Sequence, residues 1–128
     1  MPYRILIVDD SKLARMAVAN LLSRLRPDWT RIEAANAGEA VEQAKKSSFD
    51  LALLDFNMPE RDGLHLAADL HALKPDLPLA VVSANHQREV VDRAVAVGAA
   101  FLVKPVTEEA LNGFLRSAEQ RLNSQAGR

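Results

Sequence analysis

The sequence contains no cysteine. That absence excludes thiol nucleophiles, cysteine-ligated zinc and disulfides, and it fits a reducing compartment. A basic excess is missing too: 16 Lys and Arg stand against 17 Asp and Glu, a formal net charge of −1. A free-standing nucleic-acid binder normally carries a positive balance, so direct nucleic-acid binding is not expected. Nor is there an apolar run long enough for a signal peptide or a membrane span. The N-terminal run, Ile5-Leu6-Ile7-Val8, is cut short by Asp9-Asp10. Repeats, linkers and low-complexity segments are also lacking. The expectation is a cytoplasmic protein without a membrane span.

What is present suits one globular domain: 128 residues, 48% hydrophobic and 26% charged. A chain of this size buries roughly two-thirds of its unfolded surface and needs no disulfide or structural metal to fold. Apolar runs at 5–8, 51–54, 79–82 and 101–103, with a weaker one at 31–35, are unbroken rather than alternating. Unbroken runs indicate strands covered on both faces, as in a parallel sheet. Between and after them lie helical patterns at 11–25, 37–46, 64–73, 87–97 and 107–122. The first sets Leu13, Ala17, Leu21, Leu22 and Leu25 along one stripe and stops at Pro27. Gly98 ends the fourth; Thr107 caps the fifth, with Glu108 and Glu109 behind it. Residues 123–128 read as a short frayed polar tail, leaving a domain over 1–122.

The alternation predicts an α/β fold, a (βα)₅ doubly wound sandwich with a five-stranded parallel sheet. The flavodoxin-like order 2-1-3-4-5 is adopted by analogy with other doubly wound sheets. Ligands of such sheets sit outside the carboxyl ends of the strands. Those ends carry Asp9-Asp10, Asp55, Ser83-Ala84 and Lys104-Pro105. Three crowded carboxylates repel, and either protonation or a divalent cation relieves them. Oxygen donors without His or Cys, in an incomplete shell, favour Mg²⁺. Asp55 is placed to attack phosphorus as a carboxylate nucleophile. Lys104 and the Ser83 hydroxyl are placed to hold the phosphoryl oxygens. Each residue alone has a plainer explanation. Asp10 or Ser11 could cap the next helix, Ser83 could serve a turn, and Lys104 could be a solvated lysine. Asp55, directly after four apolar residues, is harder to explain away.

In this order and spacing, these residues resemble the receiver domain of two-component response regulators over residues 3–122. The matching pieces are Ile5 to Ser11, Asp55-Phe56-Asn57-Met58-Pro59 with Asp62-Gly63, Ser83-Ala84, Gly98-Ala99 and Lys104-Pro105. The resemblance implies that Asp55 accepts a phosphoryl group from a sensor histidine kinase or a histidine phosphotransfer protein. It implies that Asp9 and Asp10 bind Mg²⁺, directly or through water, together with Asp55 and the backbone carbonyl of Asn57. Ser83 and Lys104 would sense the phosphate, Phe101 would be the switch aromatic, and small Ala84 would leave the phosphate accessible. A downstream protein would meet the face of the fourth helix, fifth strand and fifth helix, and a phosphorylation-dependent dimer stays open. No enzymatic activity is implied beyond the domain's own phosphorylation and dephosphorylation. The chain departs from the pattern at Arg61, where an apolar residue is usual, and at Val106, in place of a frequent aromatic. Glu60 and Asn85 occupy variable flanking positions.

Two other function classes remain. One is a phosphorylation-independent interaction domain of the same fold, against which the retained acids, hydroxyl and lysine argue. The other is an aspartyl phosphohydrolase, which would want a second Asp where Asn57 stands. No output segment follows the fifth helix, so the chain reads as a stand-alone receiver or as one excised from a longer regulator, with the stand-alone form preferred.

Overall fold

The computed structural model describes residues 2–58, 62–84 and 87–126. Strands and helices alternate: β1 (Arg4–Val8), α1 (Lys12–Leu25), β2 (Thr30–Ala34), α2 (Ala37–Lys46), β3 (Leu51–Asp55), α3 (Gly63–Leu73), β4 (Leu79–Ser83), α4 (Arg88–Ala96), β5 (Ala100–Val103) and α5 (Glu108–Ala126). All neighbouring strands pair in parallel, in the order β2-β1-β3-β4-β5. This is the expected flavodoxin-like sandwich.

The unbroken apolar runs follow from the pleat, which sends successive side chains to opposite faces. Leu6, Val8, Ala52, Leu54, Leu79 and Val81 join one core with Leu66, Ala67 and Leu70 of α3. Ile5, Ile7, Leu51, Leu53, Ala80 and Val82 join the other with Leu22 of α1 and Leu111 and Leu115 of α5. On the edge strand β2 Ala34 alone is buried, which accounts for its weak hydrophobic signal. Gly98 takes φ 76° just past α4, a left-handed stop that a Cβ would strain. Thr107 caps α5 as expected, accepting from the Ala110 N–H. No helix among the described residues is long and apolar enough to cross a membrane.

Two expectations need correction. Leu13 is not on the buried stripe of α1; it is 79% exposed. Nine residues separate it from Leu22, about half a turn out of phase at 3.6 residues per turn, so the two point in opposite directions. The segment after 122 is not a frayed tail as far as Ala126, because α5 continues to that residue. Asn123 accepts a hydrogen bond from the Tyr3 hydroxyl and Gln125 donates to the Asp76 carbonyl, which hold the last turns against the body.

Candidate functional site

The strand register brings the polar residues to one edge of the sheet. Asp9 follows β1 directly and is held there by its N–H, which donates to the Ala34 carbonyl of β2. One of its carboxylate oxygens, Oδ1, accepts from the Ser11 N–H at 2.9 Å and so fixes the turn into α1. Ser11 is the N-cap of α1, as the plainer explanation of this residue had it. Asp10 lies exposed beside it. Asp55 is the last residue of β3 and Ser83 the last of β4, both buried. Lys104, just past β5, donates its backbone N–H to the Ser83 carbonyl at 3.0 Å, which locks the lysine and the serine into one register.

Carboxylate oxygens of Asp9, Asp10 and Asp55 lie within 4.8 Å of one another. The Lys104 Nζ is 2.7 Å from Asp55 Oδ1 and 3.6 Å from Asp9 Oδ2. Despite the short distance, the ammonium is not aligned for a hydrogen bond to Oδ1, and none among the described residues reaches that buried atom. Three carboxylates gathered within 4.8 Å, offset by one lysine at this edge among the described residues, suit a hard divalent cation. Asp9, Asp10 and Asp55 could hold such an ion, and the oxygen-only donor set fits it.

The net effect of burial and the neighbouring charges is upward for both Asp55 and Lys104. Burial pushes the Asp55 carboxyl above its ordinary value of 3.8; Lys104 opposes this, the Asp9 charge adds to it, and the Asn57 N–H opposes it. For Lys104, burial works to lower the value, but attraction to Asp55 and Asp9 outweighs it and the ammonium titrates above 10.5. An ion pair alone would move the two partners in opposite directions. Both move upward because Asp55 is almost fully enclosed, whereas a third of the lysine side chain meets solvent.

Phe101 is half-buried against the core that contains Val81, its β5-to-β4 partner. Ala84 follows Ser83 and lines the cavity beside the site. Asn57 lies in the exposed loop after β3. Pro59, Glu60, Arg61 and Asn85 lie outside the described residues. Val106 is half-buried against the core of α1 and α5.

Two residues at this edge carry weight that the linear sequence did not reveal. A Cβ on Gly63 would sit 2.4 Å from the Asp55 carbonyl oxygen and 3.0 Å from the Phe56 Cα. Glycine therefore lets the start of α3 press against the backbone that presents Asp55, and its N–H donates to the Phe56 carbonyl at 3.0 Å. The Asp62-Gly63 step could have signalled this close approach, since Asp62 is the N-cap of α3. Arg15 donates to the Asp9 backbone carbonyl and pairs with Glu33 at 2.9 Å, bridging the acid turn to β2. Nothing in the spacing of Arg15 and Glu33 announces that contact, which exists only through the β1–β2 register.

Comparison with known proteins agrees with this arrangement. The chain matches the family described as response regulator receiver domain over residues 5–116. It is 36% identical over 106 residues to the chemotaxis protein CheY of Bacillus subtilis, covering 82% of this chain and 88% of that one. It is 42% identical over 108 residues to the transcriptional regulatory protein PdtaR of Mycobacterium tuberculosis, covering 82% of this chain but 51% of the relative, so it spans about half that protein's length. Among solved structures, the CheY-like receiver domain protein from Methanospirillum hungatei superposes with a TM-score of 0.86 at 26% identity, covering 97% of this chain and 99% of that one.

Proposed function

Because the chain belongs to the response regulator receiver family, we propose that Asp55 accepts a phosphoryl group from a phosphohistidine donor on a histidine kinase or phosphotransfer protein. The observation that carries this reading is the buried Asp55 carboxylate at the end of β3, with an ammonium 2.7 Å away and two further carboxylates within 4.8 Å. In the transfer, an Asp55 oxygen bonds to phosphorus as the phosphorus–nitrogen bond of the donor breaks, and the imidazole leaves with the electron pair. Asp9, Asp10, Asp55 and the backbone carbonyl of Asn57 would hold Mg²⁺. Bound there, the ion supplies positive charge that offsets the phosphoryl oxygens during transfer.

Lys104 presents its ammonium where those oxygens arrive, and the Ser83 hydroxyl stands at the neighbouring strand end. The phosphoryl group adds about two negative charges and three acceptor oxygens. Once it is attached, Lys104 exchanges its contact with Asp55 for one with the phosphoryl group. Ser83 and Phe101 form the relay toward α4, β5 and α5, the face offered to a downstream protein. The switch is a shift between two packings of that face that differ by a few kcal/mol.

Incubation with acetyl phosphate and Mg²⁺ tests the reading. The parent chain is expected to gain one phosphoryl group by mass spectrometry, and Asp55→Asn to gain none while keeping its circular dichroism spectrum. A labelled Asp55→Asn protein would move the acceptor elsewhere. A parent chain that stayed unlabelled would favour the interaction-only form of the fold.

A further inference from the structure

Between α1 and the sheet lies a half-open cavity of about 390 Å³. Ala14, Ala17 and Val18 of α1 form one wall, Leu53 and Val82 contribute from the sheet, and Asp9, Asp55 and Lys104 close one end. The cavity exists because α1 presents alanines here and buries only Leu22 along its length. Its volume falls in the range of small-molecule sites. Water in an apolar recess of this kind finds few hydrogen-bond partners, so an apolar group displaces it favourably.

The polar end sets the charge of the occupant. Asp55 is buried, its Oδ1 receives no hydrogen bond among the described residues, and it lines the cavity. Among the described residues, the Asp9 and Asp55 carboxylates that line this end face the single Lys104 ammonium, which pairs with both, and the exposed Asp10 carboxylate lies within 4.8 Å of them outside the cavity, which leaves the end negative. We propose that this cavity binds a small organic cation, a primary ammonium on an aryl or short alkyl body. The body lies under α1 against Ala14, Ala17 and Val18, and the ammonium donates to the carboxylates of Asp55 and Asp9. An ammonium offers three donors on a freely rotating group, enough to serve both acids. A neutral molecule of the same shape keeps the apolar contribution and loses the charge-assisted hydrogen bonds. An anion of that shape meets repulsion. Because the ammonium uses the acids that would hold a divalent cation, the two compete.

The test is a methyl-detected NMR titration of the full 128-residue chain in Mg²⁺-free buffer with benzylamine, benzyl alcohol and benzoate. Benzylamine is expected to shift the methyl signals of Ala14, Ala17 and Val18 and to bind about tenfold more tightly than benzyl alcohol, a difference of about 1.4 kcal/mol. Benzoate is expected not to bind, and MgCl₂ to displace benzylamine. Ala17→Leu changes an exposed position and fills the recess. It should weaken benzylamine by about tenfold or more while the amide shifts that MgCl₂ induces at Asp9 and Asp55 persist. Ala14→Leu repeats the measurement should the first variant melt at a different temperature from the parent. Equal affinity for benzylamine and benzoate would overturn the charge argument. Methyl signals unmoved at saturating benzylamine, binding indifferent to MgCl₂, or unchanged affinity in both leucine variants would overturn the site. None of these outcomes depends on whether Asp55 accepts phosphate.

Discussion

The helices α1 and α3 flank the same sheet and lead away from neighbouring strand ends, yet they pack very differently. Gly63, Leu64, Leu66, Ala67 and Leu70 of α3 are buried, whereas α1 buries Leu22 alone. On the α3 side the contact is so close that a methyl group on Gly63 would collide with the Asp55 backbone. On the α1 side a cavity separates the helix from Leu53 and Val82. The candidate site thus sits between a rigid wall and a slack one. The backbone that presents Asp55 is braced from the α3 side, while the acid turn of Asp9 and Asp10 belongs to the looser element. Precision is concentrated under the reacting group and room is left beside it.

Four measurements put that contrast to the test. The largest effect is expected from Leu66→Ala, a fully buried side chain under α3, which should cost about 2–5 kcal/mol in chemical denaturation. A loss near zero would mean the α3 wall is not tightly packed. Next comes Gly63→Ala, expected to cost about 1–3 kcal/mol because the added methyl must push backbone aside. It should also slow labelling by acetyl phosphate, since the displaced backbone carries Asp55. Full stability and full labelling together would show that the close approach is not needed.

The third concerns charge. Burial raises the Asp55 carboxyl above 3.8, so the folded chain binds that proton more tightly than the unfolded chain does. The stability this contributes is complete below the ordinary value and is lost as pH rises through the folded-state value. Without Mg²⁺, Asp55→Asn should therefore melt at a higher temperature than the parent at pH 7, and the gain should vanish in acid below about 3.8. A mutant less stable than the parent at pH 7 would contradict the crowding argument. The smallest effect belongs to Leu13→Ala, within about 0.5 kcal/mol, because that side chain already meets water.

Much of this was legible in the sequence. Unbroken apolar runs located four strands, and the polar residues at their ends proved to be neighbours, because in a parallel sheet the carboxyl ends of adjacent strands share an edge. The acid pair, Asp55 and Lys104 came together as the spacing predicted. The inward face of α1 was harder to read. Its sequence has apolar residues around most of its circumference, Leu13, Met16, Val18, Leu21, Leu22 and Leu25, so periodicity alone could not say which would face the sheet. The end of α5 was hidden for a different reason. Asn123 and Gln125 are polar, and they are held by Tyr3 and Asp76, partners distant in sequence. The Arg15–Glu33 bridge is likewise a product of three-dimensional approach, without a local pattern to betray it, whereas the close approach at Gly63 had a local sign in the Asp62-Gly63 step.

The far end of α1 is gripped firmly. Arg26 pairs with Glu119 of α5 at 2.7 Å, donates to Asn112 of the same helix, and lies over the Trp29 ring. With Leu22 buried one turn earlier, the helix is a cantilever clamped at its C-terminal root, while its first turn is held over the acid turn through Arg15, which reaches the Asp9 carbonyl and Glu33. Deflection of a cantilever grows with distance from the clamp. Amide hydrogens along α1 should therefore exchange fastest in its first turn and progressively more slowly toward Leu22, placing the greatest compliance beside Asp9 and Asp10.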